Sequence, residues 1–153
     1  MATYPPSPPA PTYAGPGSSP RAYFGQRLVA LIIDVIILSI VGGVIELIVR
    51  NALGSLVSAA IGLAYYAWLE GSASGQTIGK RALGIRVYDL RVGGRIGTGR
   101  AIGRYFARIL STIACLLGYF WMLWDKERQC WHDKLVGSVV VPVSAYPVES
   151  WPN

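Results

Sequence analysis

The stretch "RLVALIIDVIIL", Arg27 to Leu38, decides how the chain is read. Nine of its twelve residues are Leu, Val or Ile, and a tenth is alanine. It opens a run from Leu28 to Val49 that reaches ~33 Å as a helix at about 1.5 Å per residue, enough to cross a bilayer core. Asp34 interrupts the run and Arg27 precedes it. Seven residues of helix turn through about 700°, within about 20° of two full turns, so the two charges share a face. They lie ~10.5 Å apart along the axis, too far to touch unaided. Arginine at the mouth of a membrane helix can snorkel to the headgroups. A charged aspartate inside it costs about 2.5–3.5 kcal/mol even on the lenient insertion scale.

Composition agrees with a membrane chain. Of 153 residues, 52% are hydrophobic and only 14% charged, below the quarter usual in soluble domains. The length fits one domain. The first 20 residues form a Pro/Ser/Gly tail with no periodic apolar face, expected to be disordered. Residues 21–143 form the membrane domain, and 144–153 a C-terminal tail. The first apolar run is too long for a signal peptide and no small-residue cleavage site follows it, so it is expected to be retained. Cys115 and Cys130 sit in or beside apolar sequence and read as small buried hydrophobes.

Three membrane segments are expected, at about 28–49, 52–69 and 105–124. In the second, Gly54, Ser58 and Gly62 recur every four residues, a small-residue stripe that lets helices approach closely. The first two segments form an antiparallel hairpin joined near Arg50 and Asn51. The third crosses or re-enters, with Gly118 dividing it. Between the second and third lies a basic, glycine-rich loop, 71–104. "GIRVYDL" within it reads as a strand, and "LVGSVVV" near the C-terminus echoes it, so the two are expected to pair. In "GRAIGRYFARIL", Arg100, Arg104 and Arg108 line one helix face, the pattern of a basic helix entering from the interface. The fold class is therefore an all-α membrane protein, with two spanning helices, a third spanning or re-entrant segment and a small cytoplasmic β element.

Arginine and lysine crowd the 71–104 loop, whereas Arg50 stands alone in the first connection. The positive-inside rule places the loop and the N-terminus in the cytoplasm of a multi-pass plasma (inner) membrane protein. Lys80, Arg81, Arg86, Arg100 and Arg104 are the candidate contacts to anionic lipid headgroups. With the loop held between membrane segments, lipid phosphate is a cheaper partner than nucleic acid, and no nucleic-acid role is expected.

Four motifs in this order resemble the RDD family of small bacterial integral membrane proteins: "FGQRLVALIIDVII", "GQTIGKRALGIRVYD", "GRAIGRYFARIL" and "LWDKERQCWHDKLVGSVVV". The resemblance covers about residues 23–141. The family takes its name from one arginine and two aspartates. These map onto Arg27, Asp34 and, for the second aspartate, Asp133 in "WHDKLVG", with Asp125 as the alternative. The resemblance implies an integral membrane protein, with transport often suggested and no settled biochemistry.

What offsets Asp34 is open on the sequence: an ion pair with Arg108, Arg104 or Lys80 that fixes packing, a proton- or cation-handling role, or a neutral hydrogen-bonded acid. Glu46 reads as a carboxylate at the outer interface, and Glu70 and Asp89 as loop charges. His132 adjoins Asp133 and either titrates near neutrality or packs. One histidine without further ligands supports no metal site, and no cofactor is expected. "GQTIGKR" has three residues between its glycines and Arg81 after Lys80, so it is no P-loop. No nucleophile–base spacing suggests an enzyme. Two functions stay open: ion or solute transport using an intramembrane carboxylate, as a homo-oligomer because three short segments enclose no pathway alone, or a non-transporting accessory or scaffold that binds anionic lipid or a membrane partner.

Overall fold

The structure, a computed structural model, describes residues 20–91, 93–113 and 117–144. Nearly all of the expected N-terminal tail, Cys115 and nearly all of the C-terminal tail lie outside the described residues. The elements are α1 (Phe24–Ile48), α2 (Ala52–Gly71), α3 (Ile78–Ala82), β1 (Ile85–Asp89), α4 (Gly97–Ile113), α5 (Leu117–Phe120), α6 (Trp131–Val136) and β2 (Ser138–Pro142). A 3-10 turn, Trp121–Leu123, follows α5.

Helices α1 and α2 are long and apolar enough to cross a membrane, and only 11% and 17% of their most apolar stretches are buried. A soluble core helix would be mostly buried. These instead turn Ile36, Ile40, Leu47, Ile48, Leu53 and Leu56 outward, which suits a lipid surround. Asn51 separates them as the α2 N-cap, its side chain accepting from the Leu53 N–H at 2.9 Å. Gly42 packs on Ser58 in the hairpin: a Cβ there would meet Ser58 Oγ at 3.5 Å.

The strand pairing expected from "IRVY" and "SVVV" is present. β1 and β2 run antiparallel with Val87 opposite Val140 and Tyr88 opposite Val139. Nine of the ten residues in the two strands are buried, because both faces of the sheet are covered. One face joins Ile85, Val87 and Val140 to Ala22, Ala30, Ile96 and Ala101. The other carries Tyr88, Val139 and Val141 against Leu90. The sheet therefore sits at the end of the hairpin where α1 begins and α2 ends, packed on Ala22 and Ala30.

The segment at 105–124 is not one helix. α4 begins at Gly97 and supplies residues 105–113; α5 and the 3-10 turn supply 117–123. α5 lies back against α4, since a Cβ on Gly118 would come within 2.6 Å of Ser111 Oγ. Among the described residues, two helices have spanning length and apolarity, and this third segment does not. Gly137, at φ 64° in the left-handed region, ends α6 and turns the chain into β2.

Candidate functional site

The arginine stripe of α4 faces inward. Ile102, Phe106, Ile109 and Leu110 occupy the outer face of the helix, and Arg104 is 1% exposed. This reverses the arrangement expected of a helix resting on headgroups. The charges are drawn in by two buried carboxylates. Glu70 accepts from Lys80, from Arg108 at 2.7 Å and from Arg104 at 3.3 Å. Asp133 accepts from Arg27 at 2.6 Å and from Arg104. Arg104 thus bridges α2 to α6, with Glu70 on one side and Asp133 on the other. Arg108 also lies over the Tyr66 ring, 4.1 Å from its centroid, which adds a cation–π contact.

Asp133 has local support. It sits at the N3 position of α6 and accepts from the Cys130 N–H at 3.1 Å, so the helix start fixes its rotamer. Burial alone would raise its pKa, but the Arg104 and Arg27 guanidiniums outweigh that and hold it well below the usual carboxylate range. Lys80 is pushed down to about 8, chiefly by burial, with Glu70 opposing.

Asp34 has none of the basic partners considered for it. It is 1% exposed. It accepts from the Tyr65 hydroxyl at 2.7 Å, the Thr77 hydroxyl at 2.6 Å and the Gly79 N–H at 2.8 Å. Three neutral donors, from α2 and from the start of α3, occupy both oxygens. The residue clamps α3 onto α1. Gly79 makes the approach possible, because a Cβ there would collide with the Ala30 carbonyl.

The other sequence candidates fall into place around this core. Arg27 and Asp34 share a helix, yet Arg27 turns to Asp133. Asp125, the alternative second aspartate, pairs with the part-exposed Lys134 and sits outside the network. Of the five headgroup candidates, Arg81 is exposed. Lys80 and Arg104 are in the buried network, Arg86 is buried in β1, and Arg100 holds Asp89 and the Val136 carbonyl. Glu70 and Asp89, read as loop charges, are structural partners: one ends α2, the other ends β1, and both are buried. The signal for Glu70 was its position just after an apolar run and ten residues before Lys80.

Cys130, His132 and Asp133 bring potential ligand atoms within 4.8 Å of one another. Their surroundings do not suit a cation. Both Asp133 oxygens are held by guanidiniums, and Arg27 Nη1 is 3.2 Å from Cys130 Sγ. The thiol is pushed up to about 11, mainly by burial and then by Asp133.

His132 is buried, and burial lowers its pKa well below the ordinary value. Asp133 opposes that, and Arg104, Arg108 and Arg27 reinforce it. The folded protein therefore holds it neutral, with the Tyr119 ring against it at 5.1 Å. As pH falls through ~6.5 the unfolded chain takes up this proton first, so stability is lost from there downward, by at most ~1.4 kcal/mol per pH unit. Asp133 acts in the same direction in a lower window. Its folded value is depressed, so its contribution is complete above the unfolded carboxyl pKa and fades below it. Unfolding in mild detergent between pH 7 and 5 checks this: His132→Gln is expected to flatten the slope. An unchanged slope would show that another group carries it.

The RDD family model matches residues 21–137, which take in α1 through α6 and every member of the network. The chain belongs to the RDD family. Its similarity to individual proteins is narrower. It is 36% identical over 85 residues to a proline-rich antigen homolog of Mycobacterium tuberculosis, covering 54% of this chain and 35% of that one. The proline-rich antigen of Mycobacterium leprae is 32% identical over 83 residues, with 52% and 33% covered. The uncharacterized protein YxaI of Bacillus subtilis is 37% identical over 86 residues, covering 56% of each. The chain thus spans about a third of the mycobacterial relatives and just over half of the Bacillus one. No solved structure matches it. In this RDD protein Arg27 and Asp133 belong to the ion network, and Asp34 sits in a separate clamp of uncharged donors.

Proposed function

We propose that this RDD protein is a non-transporting accessory or scaffold of the plasma membrane. Its α1–α2 hairpin is the anchor, and the sheet-bearing end lies in the cytoplasm against anionic headgroups. The observation that carries this reading is the state of Asp34. An ion-carrying carboxylate must exchange its partners during turnover. Here both oxygens are committed to Tyr65, Thr77 and Gly79, which belong to the packing of α1, α2 and α3. The remaining buried carboxylates are committed to arginine and lysine. Orientation is supported by the basic residues between α2 and α4, including the exposed Arg81, Arg91 and Arg95, against Arg50 alone at the opposite end of the hairpin.

The test is ion flux. Purified protein in vesicles is expected to show proton- and sodium-driven uptake no higher than protein-free vesicles. Asp34→Asn keeps the shape and most of the hydrogen bonding, and is expected to insert and assemble normally while flux stays at that baseline. Flux that appears with the protein and vanishes with Asn would establish transport instead.

A further inference from the structure

The ion network does not balance. Four cations, Arg27, Lys80, Arg104 and Arg108, face three carboxylates, Glu70, Asp133 and Asp34, even if all three are ionised. His132 adds no charge. Four buried nitrogens of these groups have no acceptor among the described residues: Arg27 Nε, Arg104 Nε, Arg108 Nη1 and His132 Nδ1. The Arg104 and His132 side chains are 2% and 4% exposed. All four residues line one cavity of about 140 Å³. A surplus of buried positive charge is costly unless an anion offsets it, and hydrogen bonds to charged groups are among the strong ones.

Lys80, Tyr66, Tyr119, Cys130 and the Asp34 carboxylate, whose oxygens are taken up by Tyr65, Thr77 and Gly79, also line the cavity. Its apolar wall is Phe24, Leu28, Leu31, Phe120 and Met122. It shares Leu31, Tyr66, Arg108 and Tyr119 with a larger groove of about 630 Å³. The groove runs along α1 past Val35, Leu38 and Gly43 and faces Ile109 of α4. Val35 is 49% exposed and Ile109 43%, so the groove borders the surface where the lipid lies. Ser39, Thr112 and, at the end far from the arginines, Glu46 add polar groups to a groove whose lining is otherwise mainly apolar. The cationic end is thus the deep one, and the approach to it is long and largely apolar.

We propose that this site binds a single-chain anionic amphiphile, a long-chain carboxylate. Its head is held by Arg104, Arg108 and Arg27 in the cavity, and its tail lies in the α1–α4 groove. One groove serves one tail, and a cavity of about 140 Å³ suits a compact head better than the headgroup of a two-tailed phospholipid. This goes beyond headgroup contact at the membrane surface and stands whether or not the protein transports.

Binding of the fluorescent polyene carboxylate cis-parinaric acid to the full-length protein in non-ionic detergent tests it. Saturable binding is expected, displaced by oleate. Oleyl alcohol, acetate and inorganic phosphate are expected to compete at least tenfold more weakly. Gly43→Phe fills the groove where a Cβ meets nothing within 4 Å, and is expected to weaken binding at least tenfold in a normally assembled protein. Val35→Trp, on the same lining, serves if that variant misassembles. Equal competition by oleyl alcohol would remove the charged head from the proposal, and equal competition by acetate or phosphate would remove the tail. Stronger displacement by phosphatidylglycerol would assign the site to a two-tailed lipid. Groove variants that bind like the wild type would overturn it. So would a groove variant that turns a dimer into a monomer, since the groove would then hold a second copy of the chain.

Discussion

Asp133→Asn is expected to destabilise the protein by about 3–5 kcal/mol, the cost of leaving buried charge without its partner. Arg27 loses its carboxylate altogether, and Arg104 keeps Glu70 alone, at 3.3 Å. An amide can still accept one hydrogen bond, but it supplies no charge to guanidiniums that stay buried. The α6 start weakens at the same time, because the Cys130 N–H bond is no longer to a carboxylate. Denaturant or thermal unfolding in mild detergent measures the loss. Asp125→Asn is the control. Its partner Lys134 has a side chain 42% exposed, and such pairs are worth ~0–1 kcal/mol. Similar losses in the two variants would mean that the network does not hold the fold together.

Gly79→Ala is expected to cost about 1–3 kcal/mol, the usual range for forcing extra volume into a packed site. The added methyl has nowhere to go. It would run into the Ala30 carbonyl and come within 3.0 Å of Asp34 Oδ1. Relief requires α3 to move off α1, which stretches the Gly79 N–H bond to Asp34 and disturbs the Thr77 bond beside it. Gly43→Ala is the comparison, a glycine of α1 facing open space and expected to be neutral or slightly stabilising through helix propensity. Proteolysis of the α2–α3 connection reads the displacement directly. Unchanged cleavage and unchanged stability in Gly79→Ala would refute the clamp.

The spanning helices were legible in the sequence because lipid imposes a simple requirement. A run of some twenty apolar residues has few other uses, and α1 and α2 lie within four residues of the expected bounds at each end. The strand pair was legible for a related reason: β-branched residues in "IRVY" and "SVVV" suit a covered sheet. Helical spacing also placed Arg27 and Asp34 on one face. It could not say what each would meet, since periodicity orders side chains around their own helix and is silent on the neighbour. Arg27 finds its partner 106 residues away in α6, and Asp34 finds donors 31 to 45 residues away in α2 and around the start of α3.

The same limit governs α4. Its alternating arginines and apolar residues define an amphipathic helix, but the direction of the polar face depends on where the opposing charges lie. Headgroups would draw it outward; Glu70 and Asp133, brought together from α2 and α6, draw it inward. The sequence by itself determined that this is a membrane chain with a basic, sheet-bearing end. Tertiary structure decided which charges are paired and that a surplus of cations is enclosed. Ion pairing in a buried site depends on distances of a few ångströms between segments far apart in the chain, and only folding sets those distances.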